Sequence, residues 1–221
     1  MVCTMVHPLL GVLLEAARGR PPQPDGRVDV LPPLPGPVDA MVAFTAHSYV
    51  VADVDPELAR SQLRRDDPGA ASLPAFLAWL AAQLGTRAGQ LDIVLAASGL
   101  TGAPPVQIQP RTDLEHHRRV ARAGRYRGEL RVFASPGAGG VLVLGRGLAG
   151  RWEAAFEVEP EQRGHGLGRA LALAARHLVS PDEPVFVQVS PGNAASLRAV
   201  LAAGYRPLGG EVLFPRTPRP A

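Results

Sequence analysis

The stretch Val158-Glu159-Pro160-Glu161-Gln162-Arg163-Gly164-His165-Gly166-Leu167-Gly168 decides how this chain is read. Just before it, residues 152–158 alternate with the period of two expected of a strand. Just after it, residues 166–179 place Leu167, Leu171, Ala174 and Leu178 on one side of a helix. A glycine-rich turn between a strand and a helix suits an anion. Glycines let successive main-chain N–H groups come close to a phosphate, and the helix directs about half a positive charge at the same point. Arg163 and Arg169 add full charges. Neither familiar phosphate loop fits, because Gly-Lys-Ser/Thr is absent and the spacing of Gly164, Gly166 and Gly168 is not the dinucleotide fingerprint. Taken alone, the loop is also compatible with a turn that only joins strand to helix.

Working outward toward the C-terminus, residues 185–189 read as a strand and residues 194–203 as a helix stopped by Gly204. Residues 205–214 read as a closing strand pair around Gly209-Gly210, and the Pro-rich tail 215–220 as irregular. Toward the N-terminus come strands at 141–144 and 129–134, a helix at 113–123 and a short alternating strand at 106–110. Gly99, Gly102, Pro104 and Pro105 mark a boundary. Ahead of it lie a strand at 91–96, helices at 73–84 and from Asp55-Pro56-Glu57, and a strand or hairpin at 41–54. Seven prolines between Arg20 and Val38 make a connector that excludes a helix or central strand, and residues 8–18 form a short helix. The implied organisation is an N-terminal helix and Pro-rich arm at 1–37, an α/β region at 38–104 and a third region at 105–221.

Two motifs in the last region resemble those of the GNAT superfamily of acyl-CoA N-acyltransferases. Arg163-Gly164-His165-Gly166-Leu167-Gly168 is similar to its Arg/Gln-x-x-Gly-x-Gly/Ala motif, with Val158-x-Pro160 ahead of it. Asn193-Ala194-Ala195-Ser196-Leu197, opening a helix that ends in Ala203-Gly204-Tyr205, is similar to the family's Asn-x-x-Ala helix. The resemblance covers about residues 106–214. It implies an α/β fold with a mixed sheet that splays between the strands ending at Val158 and Val189, preceded here by an N-terminal α/β extension. Acetyl-CoA would be the co-substrate, with no metal. Phe156 and Val158 would offer main-chain groups to its pantetheine and thioester, and Gly164, Gly166 and Gly168 would offer N–H groups to its pyrophosphate. Arg163, His165 and Arg169 would flank that pyrophosphate, and Asn193 would touch the cofactor while capping its helix.

The implied reaction is direct attack of a substrate amine on the thioester, aided by a main-chain N–H and a general base. Glu153 is the first candidate base and Glu157 the second; both lie on one face of the strand, opposite Trp152, Ala154, Phe156 and Val158. The family's tyrosine, seven residues after the Asn, is replaced by Val200. Tyr205, Tyr126 or water would have to protonate the leaving thiolate, although Tyr205 also occupies an aromatic packing position. The basic run His116-His117-Arg118-Arg119 with Arg122, Arg125, Arg127 and Arg131 reads as a solvated helix face, and adjacent histidines make a poor metal pair. Ser98, Ser135 and Ser190 lack the context of a serine nucleophile.

Composition narrows the classes. The chain has 221 residues, 46% hydrophobic and 19% charged, with a net charge of +3, which suits a globular protein and not an obligate nucleic-acid binder. All 23 basic residues are Arg, the signature of a G+C-rich, bacterial genome. The single cysteine, Cys3, excludes an internal disulfide framework and fits a reducing compartment. The apolar run 9–14 contains Gly11 and falls far short of a membrane span, so a cytoplasmic protein with no membrane partner is expected. The expected partner is a small-molecule or peptide amine acceptor, and a homodimer is compatible with everything above. The rival class is a non-catalytic acyl-CoA-binding sensor or partner-binding module with a degenerate site.

Overall fold

Pro8, Pro56 and Pro74 each open a helix at its first turn, and the side chains of His7, Asp55, His117 and Asn193 each cap one, whereas the helix at Leu167 starts from a glycine. The computed structural model describes residues 6–64 and 67–216, so Cys3 lies outside the described residues. In chain order the elements are α1 (Pro8–Ala17), β1 (Val28–Leu31), β2 (Val38–Phe44), β3 (His47–Val51), α2 (Pro56–Ser61), α3 (Pro74–Gln83) and β4 (Asp92–Ser98). They continue with β5 (Gln109–Pro110), α4 (Arg118–Gly124), β6 (Gly128–Ser135), β7 (Gly140–Arg146) and β8 (Trp152–Val158). The last four are α5 (Leu167–Arg176), β9 (Pro184–Val189), α6 (Ala194–Ala202) and β10 (Arg206–Pro215). The chain divides into two compact units, Met1–Ile93 with Leu208–Ala221, and Val94–Pro207. The sequence-based divisions at 37 and 104 therefore fall elsewhere than the structural one.

In the first unit the strand order is β1-β3-β2-β10. The sheet is mixed: β1 runs parallel to β3, and β2 is antiparallel to both β3 and β10. The hairpin expected over 41–54 is β2 and β3, joined through Ala46 at φ 52°. Asp55 caps α2 by accepting the Leu58 N–H at 2.8 Å. Phe76 and Leu80 of α3 pack on Met41, Val50, Val212 and Phe214 to form this unit's core. The Pro-rich connector holds no helix and no central strand, as expected, and its one strand, β1, fits between Pro24 and Pro32 at the sheet edge and pairs along one side only. Two expectations change. Gly209-Gly210 makes no turn, since β10 is one continuous strand. A Cβ on Gly209 would come within 1.9 Å of the Ala43 carbonyl oxygen, so the glycine permits close strand approach. Pro215 belongs to β10, and Arg216 is ion-paired with Asp39 and donates to the Leu34 and Gly36 carbonyls; the rest of the tail lies outside the described residues.

In the second unit the order is β4-β9-β8-β7-β6-β5, with β6, β7 and β8 antiparallel and β8 parallel to β9. The expected α/β class with a mixed sheet is thus what the chain forms. Only Gln109–Pro110 of the strand expected at 106–110 is formed, and the helix expected at 113–123 begins at Arg118, where His117 accepts the Arg119 N–H at 3.2 Å. Val120 and Ala123 of α4 cover Val141 and Val143 on one face of the sheet. On the other face, Gly140 leaves room for Leu167 and Leu171 of α5; a Cβ there would stand 2.9 Å from Leu171 Cδ1. Strand β8 therefore presents Glu153, Ala155 and Glu157 toward α4, and Ala154, Phe156 and Val158 toward α5, as the alternation predicts.

Candidate functional site

Strands β7 and β8 stay in register along their length, from Gly140↔Val158 to Arg146↔Trp152. By contrast, β8 and β9 pair only at Trp152↔Val185 and Glu153↔Phe186, although β9 runs on to Val189. The two parallel strands part after Glu153. The Glu159 N–H donates to the Gly139 carbonyl at 2.8 Å, which makes the odd-numbered residues of β8 the hydrogen-bonded partners of β7. The main-chain N–H and C=O groups of Phe156 and Val158 consequently point into the split. The Val158 carbonyl accepts the Arg163 Nε–H at 3.1 Å.

The glycine loop closes one side of the split. Gly164 and Gly166 hold φ values of 83° and 84°, a left-handed conformation that turns the chain sharply into α5. Gly166 is the N-cap, and no side chain caps this helix. The first N–H groups of α5, at Leu167, Gly168 and Arg169, are therefore offered outward. Gly168 sits where three elements meet, with a Cβ position 3.7 Å from both Phe156 Cε2 and Ala199 Cβ. The resulting cleft of about 590 Å³ is lined by Phe156, Glu157 and Val158, by residues 162–169 except His165, and by Asn193 and residues of α6. His165 instead lines a neighbouring hollow of about 490 Å³, together with Arg169 and Leu173.

Asn193 caps α6, its Oδ1 accepting the Ser196 N–H at 3.1 Å, and it also lines the cleft. The expected helix cap is thus formed by a residue that also borders the cleft. Sequence reasoning missed Ser196 and Arg198, which line the same cleft from α6. The available signal was helical spacing, since Ser196 stands three residues after Asn193 and shares its side of the helix.

The two candidate bases differ sharply. Glu153 is 5% exposed and lines no part of the cleft. One carboxylate oxygen accepts the Leu148 N–H at 3.1 Å and the Arg151 Nε–H at 2.9 Å, and the other accepts the Arg127 Nε–H at 2.7 Å. Burial opposes ionisation, but the guanidinium groups of Arg151 and Arg127 outweigh it and hold the carboxyl down at about 2. A carboxylate so engaged is a poor proton acceptor, and its expected role as base is corrected to one of support. Arg127 reaches across from Glu153 on β8 to Gln188 on β9, donating to its Oε1 at 3.0 Å, and so spans the point where the strands part. Gly147 makes room for the carboxylate; a Cβ there would lie 2.1 Å from Glu153 Cδ.

Glu157 faces the cleft at the open end of the split. It is ion-paired with Arg118 and, at 3.4 Å, with Arg119. Burial raises its carboxyl, but the Arg118 hydrogen bond and both guanidinium charges bring it below the ordinary value. The basic run at 118–119, expected to be a solvated helix face, is thus in part the wall of the cleft. Burial also pushes the Arg119 guanidinium down.

Tyr205 donates its hydroxyl to the Ala172 carbonyl at 3.0 Å and is 2% exposed. Burial pushes its phenol up, and it lines neither hollow, so it is a packing residue and not the proton donor considered above. Val200 is wholly buried. Among the described residues no cluster of three or more His, Cys, Asp or Glu side chains could hold a metal ion, and no helix is long and apolar enough to cross a membrane.

No family model and no curated protein matches the sequence. Solved structures do match. One is a GNAT-family acetyltransferase from Colwellia psychrerythraea, with 12% identity and a TM-score of 0.41 over 65% of this chain and 63% of that one. Another is a GCN5-related N-acetyltransferase from Sphaerobacter thermophilus, with 18% identity and a TM-score of 0.40 over 65% of this chain and 56% of that one. A third, from Kribbella flavida and also GCN5-related, has 17% identity and a TM-score of 0.41 over 63% of each chain. The chain spans about three fifths of the length of these structures.

Proposed function

We propose that the second unit is an acyl-CoA-dependent N-acyltransferase, with acetyl-CoA as donor and a primary amine as acceptor. The observation that carries this reading is the parted strand pair, with main-chain groups of Phe156 and Val158 that no neighbouring strand pairs on one side and the uncapped start of α5 at its end. An extended molecule with amide groups along its length and a pyrophosphate at one end matches both features. Its amides would pair with β8 as a further strand does, and its pyrophosphate would meet the N–H groups of Gly164 to Gly168, with Arg163 and Arg169 beside them. Asn193 would lie alongside the same arm, and His165 would border it from the neighbouring hollow.

The acceptor nitrogen attacks the thioester carbonyl, so that a C–N bond forms, the C–S bond breaks and the thiolate departs. Glu157, directly or through a water, takes the proton the nitrogen must lose, a contribution of about 100- to 10,000-fold when correctly placed. With Tyr205 and Val200 buried and Tyr126 not among the residues lining the cleft, no tyrosine acid faces it, but a thiol ionises at about 8.5, so its departure as a thiolate costs little at neutral pH.

The experiment is a thiol-release assay with acetyl-CoA and a panel of amines, read alongside mass spectrometry of the acceptor. Glu157→Gln should lower turnover about 100-fold or more with acetyl-CoA affinity unchanged. The same absence of a tyrosine favours a second reading, a non-catalytic acyl-CoA-binding module. Tight acetyl-CoA binding without turnover of any amine would select it.

A further inference from the structure

Building on the acyl-transfer reading, the geometry points to an acceptor that carries its own anionic group, a carboxylate or phosphate, beside the amine to be acylated. The cleft runs through the split and so has two chemically different walls. On the α5 and α6 wall lie glycine amides, Asn193 and the arginines Arg163, Arg169 and Arg198, which flank the place of the donor's pyrophosphate, together with Phe156 and Val158 of β8. On the α4 wall, the charged groups that line the cleft are Arg118, Arg119 and Glu157. Two guanidinium groups share that one carboxylate, which leaves one positive charge in excess at the wall an acceptor must meet. The Arg119 Nε atom is buried and has no hydrogen-bond partner; its contact with Glu157 is 3.4 Å. Arg118, though paired with Glu157, is 75% exposed, while the Glu157 side chain is 14% exposed.

An ammonium group alone is poorly served by this wall. It would compete with two arginines for Glu157 and would be repelled by whichever it displaced. An ammonium joined to an anion resolves both problems, because the anion takes the guanidinium donors that the incoming nitrogen displaces from Glu157. The same exchange removes positive charge from Glu157 at the moment it must accept a proton, so recognition of the anion and strengthening of the base are one event. Polyamines and lysine-rich segments are the acceptors this wall repels most.

The test uses the full chain with acetyl-CoA and matched acceptors. These are α-amino acids, their carboxamides, their decarboxylated amines and aminoalkyl phosphates, each followed by thiol release. Amines bearing an anion should be favoured in kcat/KM at least about tenfold over their neutral counterparts, the usual size of one hydrogen bond to an ionised group. The carboxylate and phosphate arms separate the two anion sources. In Arg119→Ala the ratio of anionic to neutral acceptor should collapse toward one, chiefly through KM, while the calorimetric affinity for acetyl-CoA stays within about twofold of native. If acetyl-CoA binds but neutral or cationic amines are used as well or better, or no anion-bearing amine is turned over, the inference is overturned and the cofactor reading stands. If acetyl-CoA does not bind the folded native protein, the underlying reading fails and this one falls with it.

Discussion

Glu153 and Glu157 stand four residues apart on one strand and one face, each against a pair of arginines, and yet the structure gives them different work. Glu153 lies where β8 and β9 still pair, both its oxygens held by Arg127, Arg151 and a main-chain N–H. Glu157 lies where the strands have parted, its side chain open to a cleft. The residue type and its alternation were visible in the sequence, but the point at which the strands separate was not. That point decides which glutamate can meet a substrate. Charge pairing in a closed interior fixes a backbone, whereas the same pairing at a cleft wall can be exchanged for a ligand.

The contrast is sharpest in stability. Glu153→Ala leaves two buried guanidinium groups without their counter-charge and should cost about 3–5 kcal/mol by chemical denaturation. Glu157→Ala, at the open end, should cost about 1 kcal/mol or less. Equal losses would erase the distinction. Next in size, turnover should separate the pair the other way. Glu157→Gln is expected to lower kcat about 100-fold or more. Any variant at Glu153 that remains folded should affect turnover through the shape of the split, with the pH profile of the rate unmoved.

Acid sensitivity extends the comparison. The Glu153 carboxyl is held at about 2 in the folded chain against an ordinary value of 4.5. A depressed folded-state value means its stabilisation is complete above about pH 4.5 and is lost as pH falls toward 2. Denaturation midpoints measured across that window should fall more steeply for the native chain than for Glu153→Gln, if that variant folds. The smallest effect expected is at Tyr205. Tyr205→Phe removes one buried hydrogen bond to Ala172 and should cost about 1 kcal/mol, with turnover essentially unchanged. A large loss of rate would return Tyr205 to the chemistry.

The elements around the glycine loop were legible because local signals agreed. Strand β8 begins and ends where its alternation does, and α5, β9 and α6 follow within a residue or two at most of their ends. In the first unit, Asp55 and Pro56 announced α2 for reasons confined to adjacent residues. What escaped depended on partners distant in the chain. The glycines at 209 and 210 read as a turn, because nothing local reveals that Ala43 comes up against the first and Leu91 and Asp92 against the second. The roles of Arg127 and Gln188 depend on a hydrogen bond spanning 61 residues. Arg118 and Arg119 looked like a solvated face because their partner, Glu157, lies about forty residues on.

The central claim is that the split and the start of α5 together receive acetyl-CoA. It is tested most directly by calorimetric titration of acetyl-CoA into the native chain and into Gly166→Glu, which places a bulky anion at a left-handed position in the cradle. The expected result is micromolar binding to the native chain and at least about a hundredfold loss in the variant, with its fold verified by circular dichroism. No binding to the folded native chain, or equal binding by both, would contradict the claim.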